Sequence, residues 1–455
     1  MAALLWLVPN LRVEDGAQWW PMTMNAGRRR VHDRLAALPG VRSVRRPILA
    51  DGPDEFDLFY VRVGEKSAHP LVIIPGGPGA ASVALYRGLR KHAVADGLDV
   101  IMVEHRGVGM SRHDDDGIDL PPEALTIDAA VHDIAAVLGD AQVDEAVLYG
   151  TSYGTYLAAG VGLQHPGRVH AMVLDSPLLA ADDVDAVRAA VRRVLWDGDE
   201  PETAELAAKV RTLVDDGVLT PASTQLAADM YGLGGPELLG RQLDLLLKDR
   251  DWVWGAVGLG TRLLAERTTP FHNEPDLVGR IGYRELNYGA VPDGKPLDPA
   301  VALREMATGE VDFVAEPYDL VAAMPGFTWP TAVISGGRDL TTPRAVACRI
   351  VDLIPDSVLV DMPTTGHSVI DTKEASVLEI VKAVYAGEIG ELSGRSAQLD
   401  AEPSLLSVRL LRRAITAAAA AESVVPSVVP RAVRHVTSTP ESPSTSRQGN
   451  GGTTS

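Results

Sequence analysis

Apolar residues recur along this chain in two rhythms, and the points where one gives way to the other outline a fold. Val41 to Ile48 and Asp57 to Val63 alternate apolar and polar positions on either side of Asp51-Gly52-Pro53-Asp54, which predicts an antiparallel hairpin. Leu71-Val72-Ile73-Ile74 and Val100-Ile101-Met102-Val103 are continuous apolar runs, as strands covered on both faces require. Thr126 to Leu138 changes period. Ile127, Ala130, Val131, Ile134, Val137 and Leu138 share one face of a helix, with Thr126 as its N-cap. Val147-Leu148-Tyr149 is again strand-like, an Ala- and Leu-rich helical stretch follows, and Val169 to Leu174 is a further strand. Strands and helices in this alternation predict an α/β architecture with a parallel sheet and right-handed crossovers.

After Pro177 the strand pattern stops. Glu202 to Val214, Pro236 to Leu247, Trp252 to Glu266 and Ala300 to Met306 read as helices. Strands resume at Thr331 to Ser335 and Ser357 to Val360, and an amphipathic helix spans Glu374 to Tyr385. The expected organisation is an extension over 1–30, a core over 31–177, a helical cap over 178–326, the rest of the core over 327–390 and a low-complexity tail over 391–455. Leu405 to Ala421 has the makings of one more helix. Beyond Val424 the chain is Ser, Thr, Pro and Gly, too poor in apolar residues to offset its ordering entropy. The tail is therefore expected to be disordered, and its removal after about residue 395 to be silent.

Composition narrows the function. The 455 residues are 46% hydrophobic and 23% charged, as in an ordinary globular protein. A net charge of −19 leaves no basic excess for phosphates, so nucleic acid is not an expected partner. The one cysteine, Cys348, rules out an intrachain disulfide and a thiolate-rich metal site, and its helical apolar surroundings predict a buried thiol. The apolar start, Met1 to Pro9, lacks the basic flank and cleavage site of a signal peptide, and Met22 or Met24 are alternative starts. With no apolar run of membrane-spanning length, the expected location is cytoplasmic, without membrane contact.

The chemistry lies in the turns. Gly150-Thr151-Ser152-Tyr153-Gly154 sits between a strand and a helix, the context of a nucleophile elbow. There a Cβ at either glycine would collide with its neighbours, and the serine hydroxyl is held clear at the tip. A serine needs a base to take its proton and a carboxylate to orient that base. Asp339 and His367 each follow one of the two strands after the cap, where active groups of open α/β sheets gather. Singly, each reads as a turn or surface residue. Together, in the order Ser, Asp, His, they predict the catalytic set Ser152, Asp339 and His367. Asp175, ending the strand after the elbow helix, is the alternative acid. The oxyanion donors are expected to be the backbone N–H groups of Tyr153 and of Gly77 in Pro75-Gly76-Gly77-Pro78-Gly79.

The pieces Gly76-Gly77-Pro78-Gly79, Arg106-Gly107-Val108-Gly109-Met110-Ser111, Gly150-Thr151-Ser152-Tyr153-Gly154, Asp339 with Thr342-Pro343, and Gly366-His367 resemble the proline iminopeptidases and the related tripeptidyl aminopeptidase-like hydrolases. The resemblance covers about residues 45–390. It implies an α/β-hydrolase core with a helical cap between the sixth and seventh strands, and serine peptidase activity without a metal or organic cofactor. The chain departs from the family in carrying Pro75 where His is usual and Glu104-His105-Arg106-Gly107 where Asp-x-Arg-Gly is usual. Family peptidases hold the substrate's free amine with carboxylates, mainly from the cap. Ile281 to Tyr288 resembles one segment that carries such an acid, which makes Glu285 the candidate and Glu104 a second. Trp252, Trp254 and Tyr288 are candidates to wall a proline pocket.

The function expected is a serine hydrolase acting through an acyl-enzyme, releasing an N-terminal residue, proline by resemblance, from short peptides. An esterase or amidase acting on a small metabolite with the same three residues is the first alternative. A non-catalytic ligand-binding protein on a hydrolase scaffold is the second. In each case the partner is a small molecule or peptide.

Overall fold

The computed structural model describes residues 23–266, 268–307 and 312–424. The proposed extension up to residue 22, the alternative start Met22 and the tail after Val424 lie outside them. Eight strands form one sheet: β1 (Val41–Pro47), β2 (Glu55–Val63), β3 (Leu71–Ile74), β4 (Val100–Val103), β5 (Ala146–Thr151), β6 (Val169–Asp175), β7 (Thr331–Gly336) and β8 (Ser357–Met362). Their spatial order is β1-β2-β4-β3-β5-β6-β7-β8. The β1/β2 and β2/β4 pairs are antiparallel and all the others parallel.

Helices cover both faces of the sheet. Those of the first core segment are α1 (Ala26–Ala36), α2 (Arg87–Ala95), α3 (Ile127–Asp140) and α4 (Tyr153–Gln164). The α3 helix starts where its pattern predicts, with Thr126 Oγ1 accepting from Ala129 N at 3.1 Å. The apolar strands are double-faced as expected. On β3, Val72 and Ile74 join the layer under α3 and α4, while Leu71 and Ile73 face the opposite cluster. Each such buried side chain contributes roughly 1.5–3 kcal/mol, so the central strands are the stable platform of the molecule.

The cap lies between β6 and β7, as expected. It comprises α5 (Asp183–Arg192), α6 (Pro201–Asp215), α7 (Thr224–Leu246), α8 (Trp252–Glu266), α9 (Pro275–Val278), α10 (Arg280–Leu286), α11 (Pro299–Met306) and α12 (Leu320–Ala323). Much of it shares a core of its own, with Leu206, Val210, Leu213, Leu239 and Leu243 buried together. The α7 helix begins earlier than its apolar pattern indicates and is broken at Gly235, whose φ of 67° is open to glycine at little cost. The last helices are α13 (Arg344–Leu353), α14 (Val369–Thr372), α15 (Glu374–Tyr385), α16 (Leu392–Ala401) and α17 (Leu406–Val424).

The structure corrects the tail boundary. Residues 391–424 are packed helices. Asp400 on α16 accepts from Thr364 N at 3.0 Å and Thr365 Oγ1 at 2.7 Å. On α17, Val408, Ile415, Ala419 and Glu422 are buried. Glu422 accepts from Trp252 N at 2.8 Å and Val253 N at 3.1 Å, capping α8 from a distant part of the chain. The composition of the last thirty residues hid a helical apolar spacing that ends before them. Cys348 differs too. It is partly exposed, and Arg344 Nη1 donates to its sulfur at 3.2 Å. No helix among the described residues is long and apolar enough to cross a membrane.

Candidate active site

The elbow is built by close approach. A Cβ on Gly154 would lie 2.1 Å from Ile74 O, and one on Gly150 would lie 2.4 Å from Gly154 O, so only glycine fits at either position. Ser152 is thereby held at φ 51°, ψ −123°, a region that non-glycine residues occupy only when their surroundings over-determine it. Gly76 packs directly against it, with its ideal Cβ position 3.2 Å from Ser152 Cβ. Gly77 follows with a φ of 131°.

Asp339 and His367 meet at the carboxyl ends of β7 and β8. Asp339 Oδ2 lies 2.9 Å from His367 Nδ1, and the carboxylate side chain is 0% exposed. Its charge is satisfied by Thr341 N and Thr342 N, each at 2.8 Å from Oδ1, and by Thr342 Oγ1 at 2.7 Å from Oδ2. Burial alone would raise the Asp339 carboxyl, but the His367 cation and the Thr342 donors hold it below its ordinary value. For His367, burial pulls downward, and the carboxylates of Asp339, Asp175 and Asp371 outweigh it and push the imidazole up to about 9.

Asp175, the alternative acid, has a different job. Its Oδ2 accepts from Tyr149 Oη at 2.7 Å and Ile370 N at 3.0 Å, and its Oδ1 accepts from Val369 N at 3.1 Å. Its backbone carbonyl accepts from Ser152 N at 2.9 Å. This one buried residue, through its carbonyl and its carboxylate, thus ties the elbow to the loop carrying His367. Thr151 Oγ1 and Ser368 Oγ, 3.1 Å apart, join the residues beside Ser152 and His367. Ser176 and Ser368, at φ 53° and 59°, add two more left-handed serines to this junction.

Ser152, His367, Gly76 and Gly77 line one cavity of about 940 Å³ between the sheet edge and the cap. Tyr153 follows Ser152 at the start of α4, 3% exposed. Neither acid expected to bind an amine is among the cavity's lining residues. Glu285 accepts from Ile127 N at 2.8 Å, capping α3, and pairs with Arg284. Glu104, 0% exposed, accepts from Ser82 N at 2.5 Å, Val83 N at 2.9 Å and Met110 N at 3.2 Å, and burial still pushes it up to about 7. Both are structural carboxylates. The Arg106 to Ser111 motif is likewise a brace. Arg106 pairs with buried Asp133 at 2.6 and 2.7 Å, and Ser111 Oγ accepts from Phe59 N at 2.8 Å.

Of the aromatic candidates, Tyr288 lines the cavity, Trp254 packs on the cap core and Trp252 is 54% exposed. The acids that do line it are Asp183, Asp229, Glu305 and Asp371. Asp183 is engaged with Leu179 N and Ala180 N, and Asp371 with Ser368 Oγ and Tyr86 Oη. Glu305 is exposed. Asp229, on α7, has Gln225 Nε2 at 2.9 Å from its Oδ1, and burial raises its carboxyl although Gln225 and His367 pull it down. Sequence reading missed Asp229. The only signal available was an acid on the inner face of a helix whose true start lay outside the predicted span.

A family model for the α/β hydrolase fold matches residues 69–213, a span that includes the Gly76-Gly77 loop and the elbow. With the strand order above, this gives the chain the α/β-hydrolase fold. Part of the chain is similar to proline iminopeptidases. It is 32% identical over 114 residues to the proline iminopeptidase of Heyndrickxia coagulans, covering 25% of this chain and 36% of that protein. It is 32% identical over 128 residues to that of Lactobacillus helveticus, covering 28% of this chain and 42% of that protein. The matches thus span less than half the length of these curated relatives. Among solved structures, the proline iminopeptidase of Mycobacterium smegmatis aligns with a TM-score of 0.47 at 17% identity, over 77% of this chain and 99% of that one. Est816, described as an N-acyl homoserine lactone degrading enzyme, aligns with a TM-score of 0.40 at 19% identity, over 72% and 96%.

Proposed function

We propose that this hydrolase works through an acyl-enzyme formed on Ser152, and that its substrates are short peptides with a free N-terminus. The observation that carries the reading is a serine held in left-handed geometry on the same cavity as an imidazole whose far nitrogen faces a buried carboxylate. With Nδ1 directed at Asp339, the Nε2 of His367 is the atom left to take the Ser152 proton. As Ser152 Oγ attacks the carbonyl, its proton passes to His367 and then to the leaving amine. Water repeats the sequence to release the acyl group. Gly77 N–H and Tyr153 N–H are the proposed oxyanion donors, worth about 3–4 kcal/mol each to the transition state.

The peptide preference rests on the family likeness and on Asp229. A half-buried carboxylate with few donors carries a desolvation cost that a substrate ammonium would offset, and the ammonium in turn needs such a partner. The cavity's size leaves room beyond a single residue, within the range that small-ligand sites occupy. An esterase or amidase reading keeps one supporting observation, the apolar wall of Leu85, Leu178, Val187, Leu226 and Leu233, which suits an uncharged acyl chain. A panel of prolyl, alanyl and tripeptidyl chromogenic amides, their N-blocked forms and simple acyl esters separates the two. Free-amine amides cleaved and N-blocked ones refused is the expected result. Ester cleavage indifferent to the amine would replace the peptidase reading with the esterase one.

A further inference from the structure

At the opposite end of the strands from Ser152, three side chains from three neighbouring strands converge. His69 lies two residues before β3, Glu145 immediately before β5, and His170 is the second residue of β6. Strands β3, β5 and β6 are adjacent, so the topology brings the three together at the amino ends of the strands. The imidazoles are stacked, with centroids 3.7 Å apart and planes within 9°. Both present Nδ1 to the same carboxylate oxygen: Glu145 Oε2 lies 3.9 Å from His69 Nδ1 and 3.6 Å from His170 Nδ1. His69 Nδ1 is buried and has no hydrogen-bond partner among the described residues.

The backbone supplies an independent observation. In the β5/β6 ladder Ala146 pairs with Val169 but Val147 pairs with Ala171, so His170 is the extra residue of a register shift. Irregularities of this kind re-aim a side chain. Here the residue taken out of register is the one that reaches the other two. The cluster thus gathers two ring nitrogens and a carboxylate oxygen within 4.8 Å of one another. One cation shared among two nitrogens and an oxygen satisfies it.

We propose that His69, Glu145 and His170 bind a divalent transition-metal ion of the zinc class. Two imidazoles and a carboxylate are ligands that such ions accept, at bonds of about 2.0–2.2 Å. Tetrahedral donors around such a bond are about 3.3–3.5 Å apart, and the candidate ligand atoms here all lie within 4.8 Å of one another. Splaying the two stacked rings, so that a nitrogen of each points at one ion, completes the site and leaves one position for water. The three strands it joins run on to Gly76-Gly77, Ser152 and Asp175. The ion would staple the platform from beneath and take no part in the acyl-transfer chemistry.

The test uses the full, untagged chain freed of metal with a chelator, titrated with Zn²⁺ by calorimetry and followed by thermal unfolding. One Zn²⁺ per chain is expected to bind, with the unfolding midpoint raised by about 3 °C at a hundredfold excess over the dissociation constant. His69→Gln and His170→Gln are expected to weaken binding at least tenfold, Ser152→Ala and His132→Gln to leave it unchanged. In the wild type, Zn²⁺ is expected to protect His69 and His170 from diethylpyrocarbonate, read by peptide mass spectrometry, which locates the site even if a variant folds poorly. No saturable binding at millimolar Zn²⁺, or binding that neither protects these two histidines nor depends on them, would overturn the proposal.

Discussion

The two walls of the large cavity are built differently. The core wall is polar, buried and saturated: Asp339 accepts three hydrogen bonds besides the His367 contact, and Asp175 pins both the elbow and the His367 loop. The cap wall sets apolar side chains of α5 and α7 (Val184, Val187, Leu226 and Leu233) among a few polar ones, with Asp229 held by one neighbouring amide. Saturated networks fix positions, whereas apolar helix faces tolerate exchange of side chains of similar size. Under the proposed function, the contrast puts the chemistry on the core and the selectivity on the cap. Changes in the core are then expected to act on kcat, and changes in the cap on KM and on substrate choice.

The largest expected effect is on the core wall. Ser152→Ala is expected to lower kcat by about 10⁶ and Asp339→Asn by about 10⁴, with little change in KM, as measured on the most active substrate of the panel. A KM effect as large as the kcat effect would break the division. Gly154→Ala comes next, because its Cβ has no space beside Ile74 O. It is expected to prevent folding or to destabilise severely, read by circular dichroism and melting temperature.

Removal of α17 is the third test, on the cap side. Val408 lines the cavity and, with Ile415 and Ala419, is buried, while Glu422 caps α8. Deleting residues 406–455 should cost about 3 kcal/mol or more from the lost burial and raise KM, whereas deleting only 425–455 should do neither. Asp229→Asn is expected to raise KM for free-amine substrates about ten- to a hundredfold, leave N-blocked esters unaffected, and exceed the effect of Glu285→Gln. Equal effects from the two variants would return Glu285 to consideration.

The smallest expected effect is in pH dependence. His367 must be neutral to take a proton, and its pKa is raised to about 9, so kcat/KM should climb as pH rises toward that value. Stability should move the other way. A raised histidine stabilises fully below its ordinary 6.5, and that contribution fades as pH passes through about 9. His367→Ala should remove both trends.

What could be read in advance follows the same division. The strands announce themselves because two-faced burial demands unbroken apolar runs, and Gly150 and Gly154 because no other residue fits. The pairing of Asp339 with His367, and the cavity that His367 shares with Ser152, were legible from their places after strands. Glu285 and Glu104 were not, because their family-like surroundings say nothing about which backbone N–H groups they meet once folded. Asp229 depends on how α7 is turned against the core. Apart from Gln225, the groups that act on it, His367 and Asp339, lie far from it in sequence. The α17 helix was half legible: its apolar spacing was visible, but its docking on α7 and α8 was masked by the composition beyond it.

The most direct measurement is covalent labelling with a fluorophosphonate, followed by peptide mass spectrometry. Acyl-transfer chemistry at the elbow predicts one label, on Ser152, lost in Ser152→Ala and strongly slowed in His367→Ala. A folded chain that takes no label, or takes it on another serine with Ser152→Ala still reactive, would contradict the assignment of this site.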